Sequence, residues 1–172
     1  VLLVFFTFHH DVRCATVDGS LTMSLGVAPT TLNPITSTDY NAMVVQGMML
    51  DTLLERDPET YEFKPRLAEK FSVSKDQKVF TFHLRKGVLW SDGKPFTAED
   101  VKFSFDVNFD PRYNSAHKRP YFENIKECKI LDPHKIECVA KDIYFNNLGA
   151  IAEVMDVIPK HIYENPKDMK EL

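Results

Sequence analysis

His9, His10, Asp11 and Cys14 form the densest set of metal-ligand types in the chain. A zinc ion wants four such ligands held in a tetrahedron. These four follow the uncharged apolar run Val1–Phe8, VLLVFFTF. That run is shorter than the roughly 20 residues a membrane span needs, and close to the about 7–15 of a signal-peptide core. They therefore fall in a segment read as a partial signal peptide, residues 1–15, with cleavage near Cys14-Ala15. The other reading of the run is a buried N-terminal strand. Neither a metal nor a cofactor is expected. Cys14 is where a lipid anchor would attach, but Asp11-Val12-Arg13 does not resemble a lipobox. Anchored and free forms both stay open.

The remaining thiols, Cys128 and Cys138, stand five residues either side of Pro133. If Leu131 pairs with Lys135 across that turn, Ile130 faces Ile136 and Cys128 faces Cys138, all on one apolar face. Opposed residues lie within disulfide reach. An oxidising compartment would preserve the bond. Two buried thiols are the other reading.

Nucleophile and phosphate chemistry is absent. There is no G-x-S-x-G, no Walker A and no H-E-x-x-H. Glu99 and Asp100 sit at a helix start, where the macrodipole favours acids without any acid-base role. Glu123, Glu127 and His134 read as solvated hairpin residues. The chain is not expected to be an enzyme, and a secreted hydrolase is disfavoured. The net charge of −4 over 172 residues offers no phosphate-binding surface, so no nucleic-acid partner is expected. At 44% hydrophobic, the chain can build one core.

The elements that would position these groups follow from local signals. Leu21–Val27 alternates and predicts a strand. Asp39 predicts the N-cap of a helix from Tyr40 to about Leu54. Its apolar positions Met43, Val44, Met48, Leu50 and Leu54 spread around the helix, which predicts good burial. Asp57-Pro58-Glu59-Thr60 predicts a type I turn. Lys64–Glu69, KPRLAE, predicts a short helical turn started by Pro65. Phe71–Val73 and Val79–Arg85 predict a hairpin, and Arg119–Leu131 with Lys135–Ala140 a second. Asn146–Met155 predicts an apolar helix, and a last helix begins near His161.

Phe82–Asp106, FHLRKGVLWSDGKPFTAEDVKFSFD, is the most specific string. It predicts a strand, a tight turn at Asp92-Gly93, and a helix whose Thr97 and Asp100 resemble a capping box. Trp90 predicts a packed ring with a satisfied N–H. In this order the string resembles the signature of the family 5 extracellular solute-binding proteins, the oligopeptide- and dipeptide-binding subunits of bacterial ABC importers. Thr31-Leu32-Asn33-Pro34, Leu53–Asp57 with Lys64–Glu69, Ile130–Ile136 and Val157-Ile158-Pro159-Lys160 resemble further elements of that family.

The resemblance implies an α+β fold, the N-terminal part of a type II periplasmic-binding-protein architecture that closes on ligand by hinge motion. It implies a first-lobe segment at residues 19–54, an extra subdomain with antiparallel hairpins and helices at 55–172, and a second lobe absent from this chain. It implies a component that captures small peptides outside the cytoplasmic membrane, periplasmic or extracellular, and delivers them to permease subunits as a monomer. By spacing from Leu32-Asn33-Pro34, Thr38, Asp39 and Tyr40 are the expected ligand-binding residues, offering backbone groups to an extended peptide. Asp39 as a cap alone and Tyr40 as packing alone are the competing readings. The alternatives of function are a cytoplasmic sensor carrying the same domain, which the apolar Val1–Phe8 run opposes, and a binder of a nickel complex, a sugar or haem.

Overall fold

Alternation sets the architecture. Along Val79–Leu84, Phe80, Phe82 and Leu84 are buried and the residues between them are partly exposed. Along Lys135–Ala140, Ile136, Cys138 and Ala140 are buried in the same rhythm. A strand pointing every second residue inward needs a covering layer on that side only. In the computed structural model, which describes residues 27–165, helices supply that layer.

The elements run α1 (Tyr40–Met49), β1 (Leu54–Arg56), β2 (Phe63–Pro65), β3 (Ala68–Val73), β4 (Val79–Leu84), α2 (Ala98–Asp106), α3 (Arg119–Phe122), β5 (Ile125–Asp132), β6 (Lys135–Ala140), α4 (Asn147–Gly149) and α5 (Lys160–Tyr163). A 3₁₀ turn, Ala116–Lys118, precedes α3, and a π-helical turn, Ala150–Val154, continues α4. Strands β3, β4, β6 and β5 form one antiparallel sheet in that order. A two-stranded ribbon, β1–β2, stands apart from it. Helix α2 lies against β5 and β6. Val101 and Phe105 of α2 join Phe82, Phe122, Ile136, Ile151 and Val157 in one core. Fully burying each such side chain contributes about 1.5–3 kcal/mol. The mixed α+β fold of the sequence reading is what is found.

The signature string folds as its residue types require. Gly93 takes φ +83°, open to glycine and strained for other residues. Asp92 accepts from the Lys94 amide at 3.1 Å. Thr97 caps α2 through the Glu99 amide at 3.3 Å, and Asp100 returns the bond to the Thr97 amide at 2.9 Å. The capping box works with Asp in place of Glu because the shorter side chain still reaches back. Trp90 departs from expectation. Its ring packs edge-on to Phe96 at 6.1 Å, but its buried Nε1–H has no hydrogen-bond partner among the described residues.

Five other expectations are corrected. Lys64–Glu69 is not helical: Pro65 ends β2, and Ala68 starts β3. The amides of Arg66 and Ala68 bond the Leu53 carbonyl at 3.2 and 2.9 Å, and that of Leu67 bonds Thr52. Long-range pairing takes the donors a local helix would have used. Helix α1 stops at Met49, not Leu54, as Leu50 turns extended (φ −110°, ψ 155°). It is also not well buried; only Ala42 and Gln46 are. Arg119–Phe122 is helical, with Pro120 in its first turn where no amide is missed, so the second hairpin begins at Ile125. At its turn Asp132, not Leu131, pairs with Lys135, leaving Leu131 in a bulge. The bulge preserves the register above it. Ile130 faces Ile136, Cys128 faces Cys138 with Cα atoms 4.0 Å apart, and a disulfide joins the two. The expected strand at Leu21–Val27 and the His9–Cys14 set lie outside the described residues, Val27 excepted.

Candidate functional site

Asn33 organises one wall of the site. Its side-chain oxygen accepts from the Ile35 amide at 2.9 Å, and its carbonyl accepts from the Ser37 amide at 3.0 Å. The Asn33 amide donates to Thr31 Oγ1 at 3.1 Å. The resulting tight turn reflects how Asn side chains mimic backbone. It presents Ile35–Thr38 along the edge of a groove. Gln46 of α1 donates to the Leu32 carbonyl at 3.2 Å and ties the helix to that turn.

The groove has a volume of about 620 Å³. Ile35, Thr38, Met43, Lys118, Tyr121 and Asp156 are among its lining residues. Of the three residues expected to touch ligand, Thr38 lines the groove and is exposed. Asp39 and Tyr40 are not among its lining residues. Asp39 caps α1, accepting from the Asn41 amide at 2.8 Å and from the Thr30 amide at 3.3 Å. Tyr40 is 76% exposed on the first turn of that helix.

Most buried polar groups near the groove are satisfied. Ser104 Oγ donates to the Asp100 carbonyl at 2.7 Å and accepts from the Ile158 amide at 2.9 Å. Asn108 donates to the Ser104 carbonyl at 2.7 Å, and Ser115 to that of Val107 at 2.8 Å. These bonds lock the end of α2 and the connection to α3, so the groove's walls are firm. Glu153 is engaged by Arg56 at 3.1 Å.

Lys118 and Asp156 differ. Their charged groups lie 3.9 Å apart, with side chains only 27% and 30% exposed. That separation exceeds hydrogen-bond distance. Burial pulls the Lys118 ammonium below the usual lysine value, and the Asp156 charge opposes that pull. Burial pushes the Asp156 carboxyl up, and Lys118 opposes it. Neither residue belongs to a motif. Their proximity arises from the meeting of the 3₁₀ turn before α3 with the chain beyond the π-helical turn, and no local signal announces it. Among the described residues, no group of three or more His, Cys, Asp or Glu could hold a metal ion, and no helix is long and apolar enough to cross a membrane.

A family profile described as bacterial extracellular solute-binding proteins, family 5, middle region, matches residues 62–171. The chain belongs to that family, one of binding proteins. It is 38% identical over 132 residues to the dipeptide-binding protein of Escherichia coli strain K12, covering 65% of this chain and 24% of that protein. It superposes on the structure of NikZ from Campylobacter jejuni in complex with Ni(L-His) with a TM-score of 0.65 and 34% identity, covering 81% of this chain and 27% of that one. It also superposes on the periplasmic binding protein DppA from Helicobacter pylori in complex with the peptide STSA, with a TM-score of 0.68 and 26% identity, covering 83% and 31%. The chain thus spans about a quarter of the length of the relatives it matches.

Proposed function

We propose that this member of the family 5 solute-binding proteins is the N-terminal portion of the substrate-binding component of an ABC importer. In this reading it captures small peptides outside the cytoplasmic membrane, in the periplasm or at the cell surface, and delivers them to permease subunits as a monomer. Residues 19–54 are then first-lobe chain, 55–172 the extra subdomain, and the rest of the polypeptide supplies the second lobe. The observation that carries the reading is the open groove bordered by Ile35–Thr38. It has firm walls and an open side, the shape of half a cleft awaiting a facing lobe. Ligand then runs along Ile35–Thr38, with Thr38 in contact and Asp39 and Tyr40 at the groove's end. Backbone groups offered by such a segment give affinity with tolerance of side-chain identity.

A second reading, binding of a nickel–amino-acid complex, is favoured by the 34% identity to NikZ. Mass spectrometry of solutes co-purifying with the product of the full reading frame separates the two. Short peptides support the first, and a nickel complex the second. A product that carries no solute and takes up none offered would overturn both.

A further inference from the structure

Cys128 and Cys138 carry an inference about how this chain is completed; it takes only the exported compartment from the solute-binding reading above. The bonded pair is shut inside the fold. Cys128 is 2% exposed and Cys138 is fully buried. Cys138 stands between Cys128 on β5 and Phe80 on β4, itself buried. Helix α2 lies against both strands of the hairpin. Val101 and Phe105 of α2, before the hairpin in sequence, share one core with Ile151, Met155 and Val157, after it. Both cysteines belong to that core. A disulfide forms when a thiolate attacks a sulfur of the oxidant's own disulfide, and the attack needs direct access. Once the core has closed, no oxidant reaches either sulfur.

The bond itself is local. Its cysteines are 10 residues apart and face each other across the β5–β6 register. A hairpin forms in about 1–10 μs, whereas disulfide chemistry takes seconds to hours, depending on the oxidant. Small domains complete folding in microseconds to seconds. With a slow oxidant, the sheet is covered before the bond is made. The bond therefore has to form between the pairing of the hairpin and the closing of its cover, and that interval demands a fast oxidant.

We propose that Cys128 and Cys138 are the substrate of a disulfide-bearing protein oxidase in the compartment that receives the exported chain, and that it acts on the open hairpin before α2 covers it. One cysteine thiolate attacks a sulfur of the oxidase's disulfide. A mixed disulfide forms, and the oxidase's other sulfur leaves as a thiolate. The second cysteine's thiolate then attacks the first cysteine's sulfur and displaces the oxidase. The cysteine pair gives up two electrons and two protons, and the oxidase departs as a dithiol. The cross-strand register holds the second cysteine where it completes that displacement.

The test uses the product of the full reading frame, reduced, unfolded and then refolded by dilution. In one arm a purified oxidase of the Cys-X-X-Cys class, in its disulfide form, is present from the start. In a second arm oxidised glutathione replaces it. In a third, each oxidant is added only after refolding without it. Alkylation and peptide mapping score the thiols at Cys128 and Cys138. The oxidase present from the start is expected to bond the pair in most molecules. Added after refolding, either oxidant should act at least about a hundredfold more slowly, because a buried group reacts only from an opened state. A reduced chain that fails to fold, scored by circular dichroism, supports the same order, since the bond then precedes the fold. Equal rates before and after refolding, in a reduced chain that does fold, would overturn the proposal. Glutathione that bonds the pair during refolding as fast and as completely as the oxidase would overturn the role given to the enzyme. Native mass spectrometry of the same product scores its solute separately. A product that carries none and takes up none counts against the solute-binding reading and leaves the thiol result standing.

Discussion

Asp100 holds more of this molecule together than its place in a helix cap suggests. One oxygen accepts from the Thr97 amide at 2.9 Å, the other from the Lys160 amide at 2.9 Å, and the side chain is buried. It therefore joins the start of α2 to the start of α5. Asp100→Ala would leave both donors without acceptors, and it is expected to cost about 2–4 kcal/mol in urea unfolding. Thr97→Ala, which removes a cap alone, should cost about 1 kcal/mol. Equal effects would show that the α5 contact contributes nothing. Asp57 makes a pH-dependent contribution. Lys64 first, then the amides of Thr60 and Glu59, hold its carboxyl far below its ordinary value of 3.8. A carboxylate depressed in the fold adds stability that is fully present above 3.8 and is lost as pH falls below that value. Urea midpoints should decline below about pH 4, and Asp57→Asn should flatten that decline. An unchanged slope in the variant would assign the acid loss to other groups. The capping box was legible because it is contained in four consecutive residues; the turn at Asp57 was placed correctly but runs one residue longer than the four expected, closing from the Tyr61 amide to the Asp57 carbonyl at 2.9 Å with Tyr61 at φ +60°. The Lys118–Asp156 contact was not legible, since it joins residues far apart in sequence.

At the scale of elements, the β5–β6 hairpin was read with its register intact despite the bulge at Leu131. Period-two burial constrains the register more strongly than the turn does. A slip by one residue would turn Ile136 and Cys138 to the exposed face. The ribbon at Phe63–Pro65 and the start of β3 at Ala68 were misread as helical for the opposite reason. The ribbon is a strand because it pairs with Leu54–Arg56, and residues 66–68 are held by bonds from their amides to the Thr52 and Leu53 carbonyls; nothing within the segment encodes either. The disulfide now decides between the two thiol readings in favour of the bond. In an oxidised preparation, alkylation under denaturing conditions should spare Cys128 and Cys138. Replacing both with Ala should lower stability by about 2–3 kcal/mol, the scale for a short closed loop. Two reactive thiols at these positions before reduction would return the pair to simple packing.

At the scale of the whole molecule, exposed apolar side chains among the described residues gather on α1 and at Ile143, Tyr144 and Phe145. Met43, Met48 and Met49 are each exposed by more than half, next to Tyr40. Exposed apolar groups gathered on one element mark a contact surface or a liability. Under the proposed function they pack against the remainder of the first lobe. The 172-residue chain alone should therefore bind a hydrophobic dye and self-associate with concentration. Met48→Lys with Met49→Lys should suppress both without lowering the urea midpoint. If the pair destabilises the chain instead, that face is already packed. Under the proposed function this chain brings one side of the cleft, so it should show no peptide affinity by calorimetry. Micromolar binding would contradict the lobe assignment.

The central claim is that the groove bordered by Ile35–Thr38, Lys118 and Asp156 is one face of a solute cleft. Hydrogen–deuterium exchange on the product of the full reading frame, with and without its co-purified solute, tests it most directly. The account predicts that solute slows exchange in three separated segments, residues 34–38, 115–121 and 153–158, and leaves the β3–β4 turn near Asp76 unchanged. Protection confined to other surfaces, with those three segments exchanging at the same rate in both states, would contradict it.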